Sequence, residues 1–232
     1  MTGENERDAL KRAAAEAAVA MIEDGMVVGI GSGTTAAQAI TVLGEKVAAG
    51  LRVTGIPTSE KSAAQARGLG IPLADFAAHQ QIDLAFDGAD EVEPGPLNLI
   101  KGLGGALLRE KIVASASRRL VIMVDGGKLV PRLGSHAPVP VEVVPFGWQV
   151  TARRLGALGA EVTPRRDAAG GLAPTDGGNI TLDCRFSPIA DPAALACRLR
   201  EIVGVIESGL FIGLTSEVIV AEPGGIRRLR PA

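Results

Sequence analysis

Glu110 stands in a run whose neighbours at helical spacing, Ala106, Leu107, Val113 and Ala114, are all apolar. A carboxylate on such a surface loses hydration, which favours its neutral form and pushes its pKa upward, as suits a general base. Arg109 and Lys111 share the helix, so a buried structural ion pair is the competing reading. Just upstream, Lys101-Gly102-Leu103-Gly104-Gly105 places a cation beside a loop that lets a ligand approach the backbone closely. Asp87-Gly88-Ala89-Asp90-Glu91 gathers three carboxylates within five residues, and at least one pKa should rise if they share a pocket. Such carboxylates can accept hydrogen bonds from sugar hydroxyls and exchange protons with them. They can equally hold a divalent cation, or form a solvated turn that caps the next element.

Gly29-Ile30-Gly31-Ser32-Gly33-Thr34-Thr35 follows an apolar run and opens a helix. Helix-terminal amides and the hydroxyls of Ser32, Thr34 and Thr35 suit an anion, most naturally a phosphate, with a structural turn as the alternative. The dinucleotide fingerprint needs glycine where Thr34 stands, and no Gly-Lys-Ser/Thr completes a Walker loop. In Asp125-Gly126-Gly127-Lys128, the lysine is either a ligand for a phosphate or substrate oxygen, or a surface residue on a loop. Ser59 in Pro57-Thr58-Ser59 reads as a helix cap. No Ser-His-Asp or Cys-His pattern is spaced for nucleophilic catalysis. His79 and His136 are too widely separated for a zinc site and read as ordinary loop histidines.

The elements that must position these residues alternate. Helices are expected over Ala13–Ile22, Thr34–Leu43, Ser59–Arg67 and Ala106–Ser117, and strands over Met26–Ile30, Arg52–Ile56, Ile82–Phe86 and Leu120–Val124. That alternation argues for βαβ units around a parallel sheet, with the chemically suggestive residues just after the strands, where open α/β sheets bind ligands. From Gly134 to Pro145 three prolines interrupt the pattern. Beyond them come a helix at Trp148–Leu158, strands at Ala160–Thr163 and Asn179–Phe186, and a helix capped by Asp191 and begun by Pro192 that reaches Ile202. Val205–Phe211 and Glu217–Val220 complete the expected strands. The division is a large α/β domain over residues 1–132 and 208–232, with a smaller α+β domain over 133–207.

Composition removes other classes. A formal charge of −2, one Trp, no Tyr and no dense basic stripe leave neither the field nor the stacking surface of a nucleic-acid binder. No apolar stretch approaches the ~18 residues of a membrane helix. The segment Met1–Lys11 lacks the apolar core of a signal peptide. Cys184 and Cys197 cannot make a disulfide framework, and a cytoplasmic protein is expected.

Together the motifs resemble type A ribose-5-phosphate isomerase. The matching segments are GIGSGTTAA (29–37), PTSEKS (57–62), FDGADEV (86–92), KGLGGALLREKIVA (101–114), VDGGK (124–128), PVPVEVVPF (138–146), DGGNITLD (176–183) and GVIESGLF (204–211). In this order they cover the chain from about Ala13 to Val220. The resemblance implies a Rossmann-like sheet with a ferredoxin-like smaller domain, a homodimer or homotetramer, and no cofactor or metal. It implies the reversible conversion of D-ribose 5-phosphate to D-ribulose 5-phosphate, with Glu110 as base. Carried over by position, the substrate contacts are Ser32, Gly33, Thr34, Thr35, Asp87, Gly88, Ala89, Asp90, Lys101, Gly102, Leu103, Gly104 and Lys128. The chain departs from the common pattern at Ser32-Gly33-Thr34-Thr35, where Thr-Gly-Ser-Thr is more usual. It departs again at Leu103, in a loop where glycine is common and a backbone shift is expected, and at Gly126-Gly127, which removes a serine hydroxyl.

In the chemistry this implies, Asp87 or Asp90 assists ring opening and Glu110 moves a proton between C2 and C1. Lys101 and the glycine-loop amides stabilise the developing oxyanion, and the Ser32–Thr35 loop holds the phosphate. A non-catalytic sugar-phosphate sensor of the same fold is the alternative; it would need the phosphate loop but not Glu110.

Overall fold

The computed structural model describes residues 3–231; Met1, Thr2 and Ala232, within the expected N-terminal segment and large domain, lie outside it. Helix α1 (Gly3–Val19) leads into strand β1 (Val27–Ile30), followed by α2 (Gly33–Ala48), β2 (Thr54–Pro57), α3 (Glu60–Gly68) and β3 (Leu84–Asp87). The chain continues through β4 (Glu91–Glu93), β5 (Asn98–Ile100), α4 (Leu107–Ser115) and β6 (Leu120–Asp125). Then come β7 (Val139–Val143), α5 (Trp148–Gly156), β8 (Glu161–Pro164), β9 (Ile180–Arg185), α6 (Pro192–Arg200), β10 (Val205–Ser208), β11 (Leu210–Phe211), β12 (Glu217–Glu222) and β13 (Gly225–Leu229).

The main sheet runs β13-β12-β6-β3-β1-β2, parallel except for β13. Its alternating residues feed two cores. Val28, Ile30, Leu84, Phe86, Val121 and Met123 face α1 and α2, whereas Ala85, Ile122, Val124, Val218 and Val220 pack with Val113 and Ala114 of α4. Because β1 pairs with β2 on one side and β3 on the other, the crossovers leave β1 in opposite directions. A doubly wound sheet opens a crevice at that switch point, beyond the carboxyl ends of β1 and β3. The Gly31–Thr35 loop follows β1 and the acidic turn follows β3, so the topology alone brings these two segments together.

The smaller domain is an antiparallel sheet, β10-β7-β9-β8, with α5 and α6 as crossovers. This is the βαββαβ order of ferredoxin-like folds. Trp148 packs against its core, which continues into the large domain through Ile100 and Leu210.

Several expected boundaries move. Helix α1 starts ten residues before Ala13, since its polar first half is rich in helix formers, and its end tightens into Met21 N–Ala18 O and Ile22 N–Val19 O bonds before Ile22. The expected strand Val205–Phe211 is two strands: β10 joins the smaller sheet, and β11 joins β5 and β4 in an unanticipated three-stranded sheet. At the break, a side chain on Gly209 would fall on the Lys101 carbonyl. The hairpin strand β13 was not expected either, because its residues are largely exposed and carry no alternating apolar signal.

Candidate active site

Strand β1 delivers its loop with little room to spare. A Cβ on Gly31 would fall inside the Asp87 carboxyl group and against the Phe86 carbonyl, so glycine is required for the backbone to pass β3 this closely. The vacated space is used for hydrogen bonds. Asp87 Oδ1 accepts from the amides of Ser32 (3.1 Å) and Gly88 (2.8 Å), tying the β1 loop to the acidic turn. Ser32 Oγ lies 2.7 Å from both Thr58 Oγ1 and Ser59 Oγ, which links this loop to the start of α3. Ser59 itself caps α3 by accepting from Ser62 N, as its position implies.

Lys101 enters from the end of β5. Its Nζ donates to the Gly88 carbonyl at 2.7 Å and sits 3.0 Å from Asp87 Oδ2 and 3.2 Å from Glu110 Oε2. All three charged side chains are nearly inaccessible, at 4% exposure for Lys101, 5% for Asp87 and 6% for Glu110. The ammonium is therefore within ion-pair range of both carboxylates, and Lys101 is the only group that approaches Glu110 Oε2, which has no other polar partner among the described residues. An acceptor left open beside a cation is expensive to maintain in a folded core, and such groups concentrate where a ligand completes them.

The electrostatics follow from this burial. Desolvation pushes the Glu110 carboxyl up to about 8; Lys101 opposes the shift and the neighbouring Asp87 charge adds to it. Asp87 is also raised by burial, against the pull of Lys101 and its two amides. Burial works against the Lys101 ammonium, but the two carboxylates outweigh it and hold its pKa above the ordinary value. At neutral pH the cluster thus carries a firm cation and a carboxyl able to gain or lose a proton.

A cavity of about 130 Å³ opens over this cluster, lined by Ser32, Gly33, Thr34, Thr35, Gly88, Ala89, Asp90, Lys101, Gly102, Gly104, Glu110 and Lys128. Four loops distant in sequence converge on it. Of the expected contact residues, Asp87 and Leu103 do not line this cavity. Asp87 is buried and fully engaged, and Leu103 faces a larger neighbouring cavity of about 450 Å³. Leu103 avoids positive φ, so leucine fits this glycine-rich loop without backbone strain. The three acids of the turn do not share one pocket. Asp90 Oδ2 accepts from Leu103 N at 3.0 Å, while Glu91 turns away and accepts from the amides of Gly134, His136 and Ala137 at 2.5–2.7 Å. Glu91 is an anchor for the start of the smaller domain.

Lys111, flanking Glu110, is the structural lysine that the competing reading anticipated. It donates to Glu207, Ser208 O and Leu210 O, holding α4 against the β10–β11 junction. The larger cavity adds residues not anticipated from the sequence: Lys61, Arg165, Thr175 and Asp176, the last three from the smaller domain. The PTSEKS and DGGNITLD segments carried Lys61 and Asp176 into view, but nothing in the sequence marked Arg165.

Residues 54–225 match the family model described as ribose 5-phosphate isomerase A (phosphoriboisomerase A). The chain is 60% identical to ribose-5-phosphate isomerase A of Gloeobacter violaceus, over 97% of each chain. It is 58% identical to that of Gluconobacter oxydans, covering 95% of this chain and 96% of the relative. Among solved structures it is similar to ribose 5-phosphate isomerase A of Methanocaldococcus jannaschii, with a TM-score of 0.93 and 40% identity over 97% of this chain and 99% of that one. It is also similar to a D-ribose-5-phosphate isomerase in complex with phospho-erythronic acid, with a TM-score of 0.92 and 40% identity over 95% and 97% of the two chains.

Proposed function

The chain belongs to the ribose 5-phosphate isomerase A family and reversibly converts D-ribose 5-phosphate to D-ribulose 5-phosphate; on that premise, we propose how its cavity divides the work. Glu110 is the base. It takes the C2 proton of the open-chain aldose and returns it to C1 through an enediol-type intermediate. The observation that carries this role is the Glu110 carboxylate itself, buried, open at Oε2 and 3.2 Å from Lys101. Lys101, already charged and held by Asp87 and Gly88, stabilises the negative charge as it passes between O1 and O2. The open-chain form must first be released from the furanose. Asp90 suits that step better than Asp87, since Asp90 lines the cavity while both Asp87 oxygens are engaged beneath it.

Ser32, Gly33, Thr34 and Thr35, at the start of α2, bind the phosphate with Lys128 across the cavity. Phosphate binding there supplies the remote energy that positions the reacting carbons. No metal is required, because Lys101 supplies the positive charge. The non-catalytic sensor reading is not favoured, since the similar proteins are isomerases. We place the protein in the cytoplasm, where its two free thiols stay reduced. A homo-oligomer is the proposed assembly. Phe146 is 95% exposed, and Val150 and Val203 are exposed close by, where Thr151 Oγ1 meets Val203 O. A second copy would cover that apolar surface; light scattering on the intact protein reads the mass.

The deciding experiment is Glu110→Gln, which keeps the shape and removes the base. Turnover of ribose 5-phosphate should fall about 10²–10⁴-fold, the usual contribution of general-base catalysis. Near-parental turnover would overturn the assignment.

A further inference from the structure

Arg165 follows β8 in the smaller domain, and none of the steps above uses it. Its Nη1 donates to the carbonyls of Gly102 (3.0 Å) and Leu103 (3.1 Å) in the large domain. Nε and Nη2 bind the two oxygens of Asp183 on β9, at 3.1 and 2.5 Å. One guanidinium therefore joins the smaller sheet to the loop that lines the catalytic cavity. The paired contact with Asp183 fixes the plane of the group before it meets the loop, which a planar fork of donors can do and an ammonium cannot.

The consequence lies in the direction of two peptide groups. A trans peptide is planar, with its N–H and C=O pointing opposite ways. In the Gly102–Leu103 peptide the carbonyl meets Arg165 and the Leu103 N–H meets Asp90 Oδ2. In the Leu103–Gly104 peptide the carbonyl again meets Arg165, so the Gly104 N–H points away from it. Among the described residues, no protein acceptor takes that N–H. Gly104 lines the catalytic cavity together with Glu110 and Lys101. Within the loop, Gly105 N–H closes a turn by donating to Gly102 O at 3.0 Å, so the Gly102 carbonyl is shared with Arg165, whereas the Leu103 carbonyl is held by Arg165. Leu103 is 42% exposed, and Gly102 and Gly105 adopt φ of +107° and +85°, a region that glycine enters and leaves readily.

We infer that Arg165 is a positioning residue: it orients the Gly102–Leu103–Gly104 backbone so that the Gly104 N–H faces the reacting oxygen of the sugar, which makes the smaller domain part of the catalytic apparatus. This rests on the assignment of the cavity as the isomerase site. A donor aimed at a developing oxyanion is effective only when it is oriented in advance, and a displacement of about 1 Å costs on the order of a hundredfold in rate.

Arg165→Lys and Arg165→Ala in the intact protein test the inference. Arg165→Lys retains a cation for Asp183 but cannot also hold both carbonyls. The expected result is a kcat about tenfold to a hundredfold lower, with KM for ribose 5-phosphate and the thermal midpoint of Arg165→Lys close to parental. Methylguanidinium should restore part of the turnover lost in Arg165→Ala. Parental kcat in Arg165→Lys, or a loss in both variants that follows only the folded fraction, overturns the inference. Glu110→Gln measured alongside separates the two claims. An inactive Glu110→Gln beside parental Arg165 variants sinks only the role of Arg165, whereas an active Glu110→Gln sinks the site assignment beneath it.

Discussion

Burying a carboxylate beside a second one makes the folded protein sensitive to pH, and Glu110 gives that sensitivity a size. Its pKa rises from an ordinary 4.5 to about 8 on folding. The folded state therefore holds this proton more tightly than the unfolded chain. The resulting stability is fully present below about pH 4.5 and is lost as pH climbs through about 8. Between about pH 5 and pH 8 the loss is on the order of 3–4 kcal/mol, at 1.36 kcal/mol per pKa unit with both titrations included. For a chain of this length that corresponds to roughly 10 °C in Tm. Other groups titrate across the same range, so Glu110→Gln provides the reference: it keeps the shape, and position 110 then no longer titrates. Urea unfolding of both proteins at several pH values measures the difference. Relative to the parent, Glu110→Gln should gain on the order of 3–4 kcal/mol on going from about pH 5 to pH 8. Parallel stability curves for the two proteins would refute the claim that Glu110 is held near neutrality by burial.

Three further outcomes follow from the same geometry. Lys128→Met, which removes a cation from the cavity rim, should lower kcat/KM for ribose 5-phosphate about tenfold to a hundredfold, mainly through KM; an unchanged KM would return Lys128 to the role of a surface residue. Gly31→Ala inserts a methyl group into the Asp87 carboxyl. It should abolish most activity and lower the thermal midpoint, because Asp87 holds both Lys101 and the Ser32 amide, and full activity would show that the loop yields more easily than its contacts imply. Exhaustive chelation should leave turnover intact; loss that a divalent ion restores would assign the acidic turn to a metal.

Much of the site was legible because its parts are local. The clusters after β1, β3 and β6 each follow a strand whose apolar run appears with the turn in a short window of sequence. The Ser59 and Asp191 caps were legible for the same reason: a cap needs only its own side chain and an amide three residues on. Less visible were contacts that cross domains. The Arg165 carbonyl contacts span 62 and 63 positions, and Glu91 reaches amides 43 to 46 positions away. Strands β4, β5 and β11 are only two or three residues long, too short for a periodic signal.

Residue types and spacing by themselves determined the α/β class and marked Glu110 and the hydroxyl-rich loop as candidates, because hydrophobic periodicity and turn composition are properties of neighbouring residues; the sugar-phosphate chemistry came from the family resemblance that the motifs carry. Only the tertiary structure separated the positions of the three carboxylates. Asp87 lies beneath the cavity, Asp90 on its wall and Glu91 against another loop, although all three occur within one five-residue turn. Alternation along the chain can suggest that a residue is buried, but it cannot say which donors will meet it there. Those donors come from the segments after β1 and β5 and from the smaller domain, and their arrival sets each carboxylate's surroundings.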